Sequence, residues 1–473
     1  MNRFAPRPNV CFFIALFLFG LIGYLHTACA SAPDSALAQA PSWFSLHGQQ
    51  TVIYQYHPAF NADYSGTNSL QPISEGATSL TTTLFLDVSL WQGAHFHLHP
   101  ELAGGTGVSG AVGVAGFLNG ETFRIGNPTP TMYIARGYLK QVFTFNPDAE
   151  KQSDKAITKF TRPELFTEPH ELTTGLKDVE NVQRLTIIAG KFGVADFYDN
   201  DSYSHDPRTQ FMNWSLMSAG AWDYPADTRG YTWGVAAEYA FPKLDIRALA
   251  VLVPVTANGL ELDTRVFQGA IGTALEAEYR YTLARPEQQG IVRGLAFLNM
   301  ANAGTFRTAL ALAQKNGGIP DIKTARNYGT SKYGFVVSVE QALSENLGLF
   351  SRLSWNDGAT ETWAFTQIDQ SFALGAQFDG ALWGRTDDAI GIAGVVNGIS
   401  ADHRDYLAAG GLGFIIGDGA LQYAPETILE AYYRFQVLSW LQLSADYQFV
   451  VNPAYNQSRG PVNVFSFRTH LDF

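Results

Sequence analysis

Cysteine is almost missing. Only Cys11 and Cys29 occur in 473 residues, and both lie in or beside an N-terminal stretch that reads as an export signal. Cleavage after Ala30 would leave no thiol at all, which excludes disulfides as the source of stability of an exported chain. Long hydrophobic runs are missing too. Only Val10–Leu25 is apolar enough to be mistaken for a spanning helix, and a mean hydropathy of −0.04 excludes a bundle of membrane helices. Positive charge is scarce. The formal net charge is −12, and loss of residues 1–30, which carry two arginines and no acid, would leave −14. An acidic surface argues against nucleic acid as a partner. Charge of either sign makes up only 16% of the chain.

The N-terminal run has the parts of a secretory signal. Arg3 and Arg7 precede an apolar core of ~15 residues, and Ala28-Cys29-Ala30-Ser31-Ala32 supplies small residues for cleavage. Ala30, Ala32 and Ala40 are all acceptable cleavage points. A lipoprotein site at Cys29 is disfavoured by His26, where an aliphatic residue would be wanted. The sequence therefore divides into a signal over 1–30, extending to 40 at most, and one domain over 31–473, with no linker or second core.

Aromatic residues and alternation are abundant. Phe 33, Tyr 21 and Trp 9 bring aromatics to 13% of the chain. From Phe465 the last strand sets Phe465, Phe467, Thr469, Leu471 and Phe473 against Ser466, Arg468, His470 and Asp472. Alternate side chains of a strand point to opposite faces, so one face is apolar and the other charged. A bare apolar strand edge invites aggregation, whereas a closed barrel in lipid has none. The same pattern recurs in Thr83–Trp91, Leu347–Asn356, Thr427–Val437 and Leu441–Val451, at the ~10-residue length that a tilted spanning strand needs.

The connections differ in length. Tight turns are expected at 91–94, 241–244, 344–346, 384–387 and 438–440. Long loops are expected at 57–78, 146–183, 200–231, 302–331, 357–371 and 398–426. Short turns on one rim and long loops on the other describe an outer-membrane barrel, and an even count of about 14 to 16 strands follows. Short helices are expected at Thr209–Ala221 and Thr305–Lys315, in loops that can fold inward. The predicted fold is thus all-β: a transmembrane antiparallel barrel of about 16 strands with inward-folded loops and short helices.

Motifs for chemistry are few. Gly105-Thr106-Gly107-Val108-Ser109-Gly110 matches a dinucleotide-binding glycine pattern, but the preceding strand alternates and no βαβ unit follows, so a glycine-rich loop is expected. His95, His97, His99 and Glu101 share one strand face and could ligate a metal; a polar row facing a wet lumen is the reading preferred, with no metal or cofactor. No nucleophile elbow, zincin helix or phosphate loop occurs, so no catalytic residue is assigned. The useful set is the charge on polar strand faces: Asp87, Glu101, Arg136, Glu278, Arg280, Arg293, Glu340, Arg352, Glu430, Arg434, Asp446 and Arg468. Lys or Arg facing mid-membrane hydrocarbon costs ~2–4 kcal/mol, so these face inward. A lumen with paired signs suits neutral polyols, since arginine offers fixed donors and carboxylates only acceptors. Most of these charges are expected only to solvate and stiffen the wall. Trp43, Trp91, Trp355, Trp383 and Trp440 fit interfacial belts. Trp214, Trp222 and Trp363 fit loop packing better than sugar stacking.

An ordered set of short motifs resembles the carbohydrate-selective outer-membrane porins of the OprB type. It includes Pro100-Glu101-Leu102, Gly190-Lys191-Phe192-Gly193, Gln210-Phe211-Met212-Asn213 and Trp363-Ala364-Phe365-Thr366-Gln367-Ile368-Asp369. It continues through Trp383-Gly384-Arg385-Thr386-Asp387-Asp388, His403-Arg404-Asp405-Tyr406, Gly410-Gly411-Leu412-Gly413-Phe414, Ile416-Gly417-Asp418-Gly419, Glu430-Ala431-Tyr432-Tyr433, Asp446-Tyr447-Gln448 and Asn452-Pro453. The resemblance implies a 16-stranded barrel in a Gram-negative outer membrane, passive and selective sugar diffusion, and a constriction of arginines and carboxylates. Glu101 and Glu430 fall on motif positions. Arg124 and Arg136 lie in the region where the arginines would be. With Arg293, Arg352, Arg434 and Asp446 they are the expected pore-lining set. Sugars are the expected permeants, and outer-membrane lipid and lipopolysaccharide the expected surroundings, with monomer and trimer both open. A general or ion-preferring porin of the same build is the alternative, and a barrel enzyme the least favoured.

Overall fold

The computed structural model describes residues 43–122, 129–145 and 183–473. The expected signal therefore lies outside the described residues. Eighteen strands form among the described residues. The first seven are β1 (Phe44–His57), β2 (Glu75–Trp91), β3 (Ala94–Gly105), β4 (Thr131–Thr144), β5 (Arg184–Phe192), β6 (Thr232–Ala240) and β7 (Leu244–Val251). A two-residue pair follows, β8 (Val253–Pro254) and β9 (Leu262–Asp263). The rest are β10 (Ile271–Thr282), β11 (Gln289–Gly304), β12 (Arg326–Ser344), β13 (Leu347–Asn356), β14 (Gln370–Asp379), β15 (Ala389–Gly398), β16 (Glu426–Leu438), β17 (Leu441–Val451) and β18 (Val462–Asp472).

All but β8 and β9 close into one antiparallel barrel of 16 strands, sealed by β1 against β18. The alternation sorts as its polarity requires. On β18, Phe465 and Phe467 are half-exposed on the outside, while Ser466, Arg468 and His470 are buried inside. Leu353 and Leu429 point outward while Arg352 and Glu430 point in. Among the described residues no helix is long and apolar enough to cross a membrane; strands do the spanning.

The five expected tight turns all lie on one rim, where β1 starts and β18 ends. At the β2–β3 turn Gly93 has φ +72°, and a Cβ there would meet the Val142 carbonyl at 2.2 Å. Short turns face the periplasm in such barrels. One long connection breaks the expected sorting. β4 runs toward the short-turn rim and β5 away from it, so the link between Thr144 and Arg184 belongs to that rim. Residues 146–182 of it lie outside the described residues. Two further long connections, 106–130 and 252–270, join strand ends at the opposite rim. The first begins at the glycine-rich loop expected over 105–110, but its length was not expected, because it is small and apolar rather than polar: its described part is folded into the lumen, with Val108, Val114, Ala115, Phe117 and Leu118 buried.

Among the described residues three short α-helices sit in loops: α1 (Trp214–Met217), α2 (Phe306–Asn316) and α3 (Ala401–Ala408). The helix expected over 209–221 shrinks to α1, capped by the Asn213 side chain, which accepts from the Ser215 amide. α2 falls where its Ala/Leu run predicts, capped by Thr305. α3, capped by Ser400, was expected only as loop.

The largest apolar core lies inside the barrel. Trp214 stacks on Phe365 at 4.5 Å and 11°, Tyr224 packs on Phe365 at 4.6 Å, and Trp222 is fully buried beside them. Asp223 ties the two loops together, accepting from the Trp363 and Ala364 amides at 2.8 and 2.7 Å. The loop tryptophans are thus packing residues, as expected.

Candidate permeation site

Two arcs of the lumen wall treat the inner loop 193–231 differently. On the arc from β13 to β18, wall side chains grip the loop backbone. Glu430 accepts from the Met212 and Asn213 amides at 2.5 and 3.0 Å. Arg468 donates to the Pro207 and Gln210 carbonyls at 2.7 and 2.8 Å. Arg352 pairs with Asp199 at 2.8 Å and donates to the Leu216 carbonyl at 2.8 Å. Ser354 accepts from the Ala221 amide, and Asn356 donates to the Ala221 carbonyl. The side chains of Arg352 and Asp199 are each 1% exposed. A buried amide or guanidinium without a partner costs ~1–3 kcal/mol or more, so these contacts fix where the loop lies.

On the arc from β5 to β12, the charges mostly hold one another. Arg247 stands directly across from Glu238 on one side and Glu276 on the other. It bonds Glu238 at 2.7 Å, Glu276 at 2.8 Å and Glu278 at 3.1 Å. Arg293 continues the ladder to Glu278 at 2.8 Å and Glu340 at 2.9 Å. Arg280 bonds Asp245 and Glu278, and Arg184 bonds Glu238 at 3.2 Å. Arg184, Glu238 and Arg280 each keep 21% of the side chain exposed. The ladder also reaches the loop, where Glu276 and Glu340 accept from the Asp199 and Ser202 amides.

Between these arcs, at β3 to β5, lies a mixed cluster. Arg136 pairs bidentately with Asp196 at 2.6 and 2.7 Å and lies 5.1 Å from the Tyr231 ring centre. Glu101 accepts from Thr83 at 2.6 Å, from Tyr133 and from Arg208 at 3.2 Å. Arg229 stacks 4.1 Å over Tyr133. Lys191, 18% exposed, faces Asp227 at 3.8 Å. Four cations and four carboxylates thus share the cluster once Glu121, 2.9 Å from Arg208, is counted.

The expected pore-lining set is therefore divided. Glu101 and Arg136 fall in the mixed cluster, and Arg293 in the ladder. Arg352 and Glu430 fall in the loop clamp. Arg434 is buried on the inner face of β16 near Tyr432, and Asp446 sits beside Glu430, within the field of Arg468. Arg124 lies outside the described residues. Asp196, Asp199, Arg208, Arg229 and Tyr231 were not legible in the sequence, because loops have no period to read. Glu238 and Arg247 were legible in principle: they stand at mirrored places about the predicted turn 241–244, which makes them cross-strand partners.

A family described as the carbohydrate-selective porin, OprB family, matches residues 88–473. Among curated proteins none matches. The high-pH structure of Pseudomonas putida OprB aligns with a TM-score of 0.66 at 16% identity, covering 91% of this chain and 94% of that one. Its low-pH structure gives 0.45 at 12% identity, covering 91% and 93%. The outer membrane channel DcaP of Acinetobacter baumannii gives 0.47 at 10% identity, covering 91% and 97%. The first of these supports the porin fold; the family match spans most of the barrel and its inner loops. A sealed barrel with an apolar outside, a charge-paired inside and loops folded inward makes this chain an outer-membrane carbohydrate porin, a member of the OprB family.

Proposed function

We propose that small neutral sugars diffuse passively between loop 193–231 and the wall of β3 to β12, with no chemistry and no energy input. The observation that carries this reading is the pairing of opposite charges along that arc. A lumen of one sign would concentrate counter-ions, whereas paired signs leave little net field and many donors and acceptors for hydroxyl groups. Partial exposure of Tyr133, Lys191, Arg229, Arg184 and Glu238 supports the route. Arg136 and Glu101 are proposed to hold these rings and cations in place, with Arg293 stiffening the ladder. Arg352, Glu430, Arg434 and Asp446 are proposed to act on the loop rather than on the sugar. The apolar outside, carrying Leu353, Leu429, Phe465 and Phe467, is proposed to meet outer-membrane lipid.

Binding must stay weak enough for release, as in any pore. Liposome swelling across sugars, amino acids and organic acids tests the reading, together with reversal potentials in a salt gradient. Saturable, low-affinity sugar flux with little ion preference is the expected result. Equal passage of unrelated uncharged solutes of the same size would reduce the protein to a general porin. A strong ion preference would make it an ion-selective one.

A further inference from the structure

The row of histidines on β3 acquires a different partner from the one on its own strand. Glu101 is committed to Thr83, Tyr133 and Arg208. Asp87, on β2, stands directly across from His97 in the sheet. Its Oδ1 lies 2.6 Å from His97 Nδ1 and 3.1 Å from His99 Nε2. The three residues each bring one ligand atom into a group whose members are all within 4.8 Å of one another. From this geometry we propose that Asp87, His97 and His99 form a binding site for a late first-row divalent cation, of which Zn2+ is the natural probe.

The donor set is two imidazoles and one carboxylate, which suits Zn2+, Co2+ or Ni2+ better than Ca2+ or Mg2+. In a tetrahedral zinc site with bonds of ~2.0–2.1 Å the ligand atoms stand about 3.3 Å apart. The spacings of 2.6 and 3.1 Å to Asp87 fall short of that value by a few tenths of an ångström, and the two imidazole nitrogens stand within 4.8 Å of each other. Without a metal, neutral imidazoles donate their single N–H to Asp87. That leaves His97 Nε2 and His99 Nδ1 buried without a protein partner. With a metal, the lone pairs of Nδ1 and Nε2 turn to the cation and the ring protons move to those two nitrogens.

The cluster is walled in. Tyr138 stacks on His97 at 4.5 Å and 24°, and Phe85 meets His99 edge-on at 4.9 Å. Rings held in this way lose little freedom on binding, which favours a preformed site. Position supports access from one end. His97 is three residues from the strand start at Ala94, ~10 Å along β3 from the short-turn rim. His95, the next inward residue toward that rim, has its Nε2 buried and without a protein partner. Lys140 and Arg136 act against a cation here, but the charge of Arg136 is matched by Asp196.

The test uses the tagless full barrel in detergent. Zn2+ is loaded, excess is removed by gel filtration, and bound metal is counted. One Zn2+ per chain is expected. Asp87→Asn and His99→Gln should each weaken binding by at least about tenfold. His470→Gln, a buried wall histidine bonded to Thr51, should leave it unchanged. Should either ligand variant fail to form the barrel, Co2+ titration of the unaltered protein decides. Visible bands of a four- or five-coordinate ion, saturating at one equivalent, are then expected. No retained Zn2+, equal binding by the folded ligand variants, or a Co2+ spectrum no different from the hydrated ion would overturn the site.

Discussion

The arc from β13 to β18 and the arc from β5 to β12 carry charges of the same kinds, yet use them for different ends. On the first, Arg352, Glu430 and Arg468 spend their hydrogen bonds on the backbone of loop 193–231 and on Asp199. On the second, Arg247 and Arg293 bond mainly to carboxylates of neighbouring strands, and part of the ladder stays in contact with water. A charge that meets a backbone dipole positions a loop. A charge that meets an opposite charge beside water leaves hydrogen-bonding groups at the surface of a passage. The residue type does not decide between these uses; what lies opposite does.

The largest effect should come from breaking the clamp. Arg352→Met leaves Asp199 buried without its cation, and losing one partner of such a pair costs ~3–5 kcal/mol. Thermal unfolding followed by electrophoretic mobility should show a lower midpoint, with faster proteolysis in 193–231. An unchanged midpoint would mean that the loop is held elsewhere. Next comes the ladder. Arg247→Met strips one cation from among Glu238, Glu276 and Glu278, so reversal potentials should move toward cation preference by several-fold in permeability ratio. No shift would place the conducting path away from this arc.

Smaller still, Arg229→Ala should lower sugar flux while changing stability by less than ~1 kcal/mol, because the residue is partly exposed and its contacts are few. Flux equal to that of the parent protein would remove Arg229 from the route. The subtlest change concerns Asp206, in the loop segment that Arg468 grips. Burial raises its carboxyl to about 6, against hydrogen bonds from the Arg208 amide and Thr209 hydroxyl. The folded state then binds more protons than the unfolded chain between pH 4 and 6, so this residue makes stability fall as pH rises through that window. Asp206→Asn should flatten the fall. A pH profile parallel to that of the parent would show that other groups set it.

The strands were open to reading because period-two alternation states which side faces lipid. Leu353 against Arg352 and Phe467 against Arg468 settle that by polarity alone. Tight turns followed from the same pattern, since a strand of fixed length must reverse. Loop destinations were not readable: the glycines of 105–110 mark a loop, but nothing local says that 106–122 folds into the lumen. Glu430 illustrates the point. Alternation places it inward, but only the approach of Met212 and Asn213 makes it a clamp.

The sequence by itself determined a barrel, its inner and outer faces and the presence of paired charges, and bounded the strands at about 14 to 16, because each follows from how lipid and water treat alternate side chains. The tertiary structure alone decided which charges hold loops, which line the wetter arc and that Asp87 joins His97 and His99. Those outcomes depend on residues far apart in sequence meeting across a closed sheet, and no local pattern encodes that meeting.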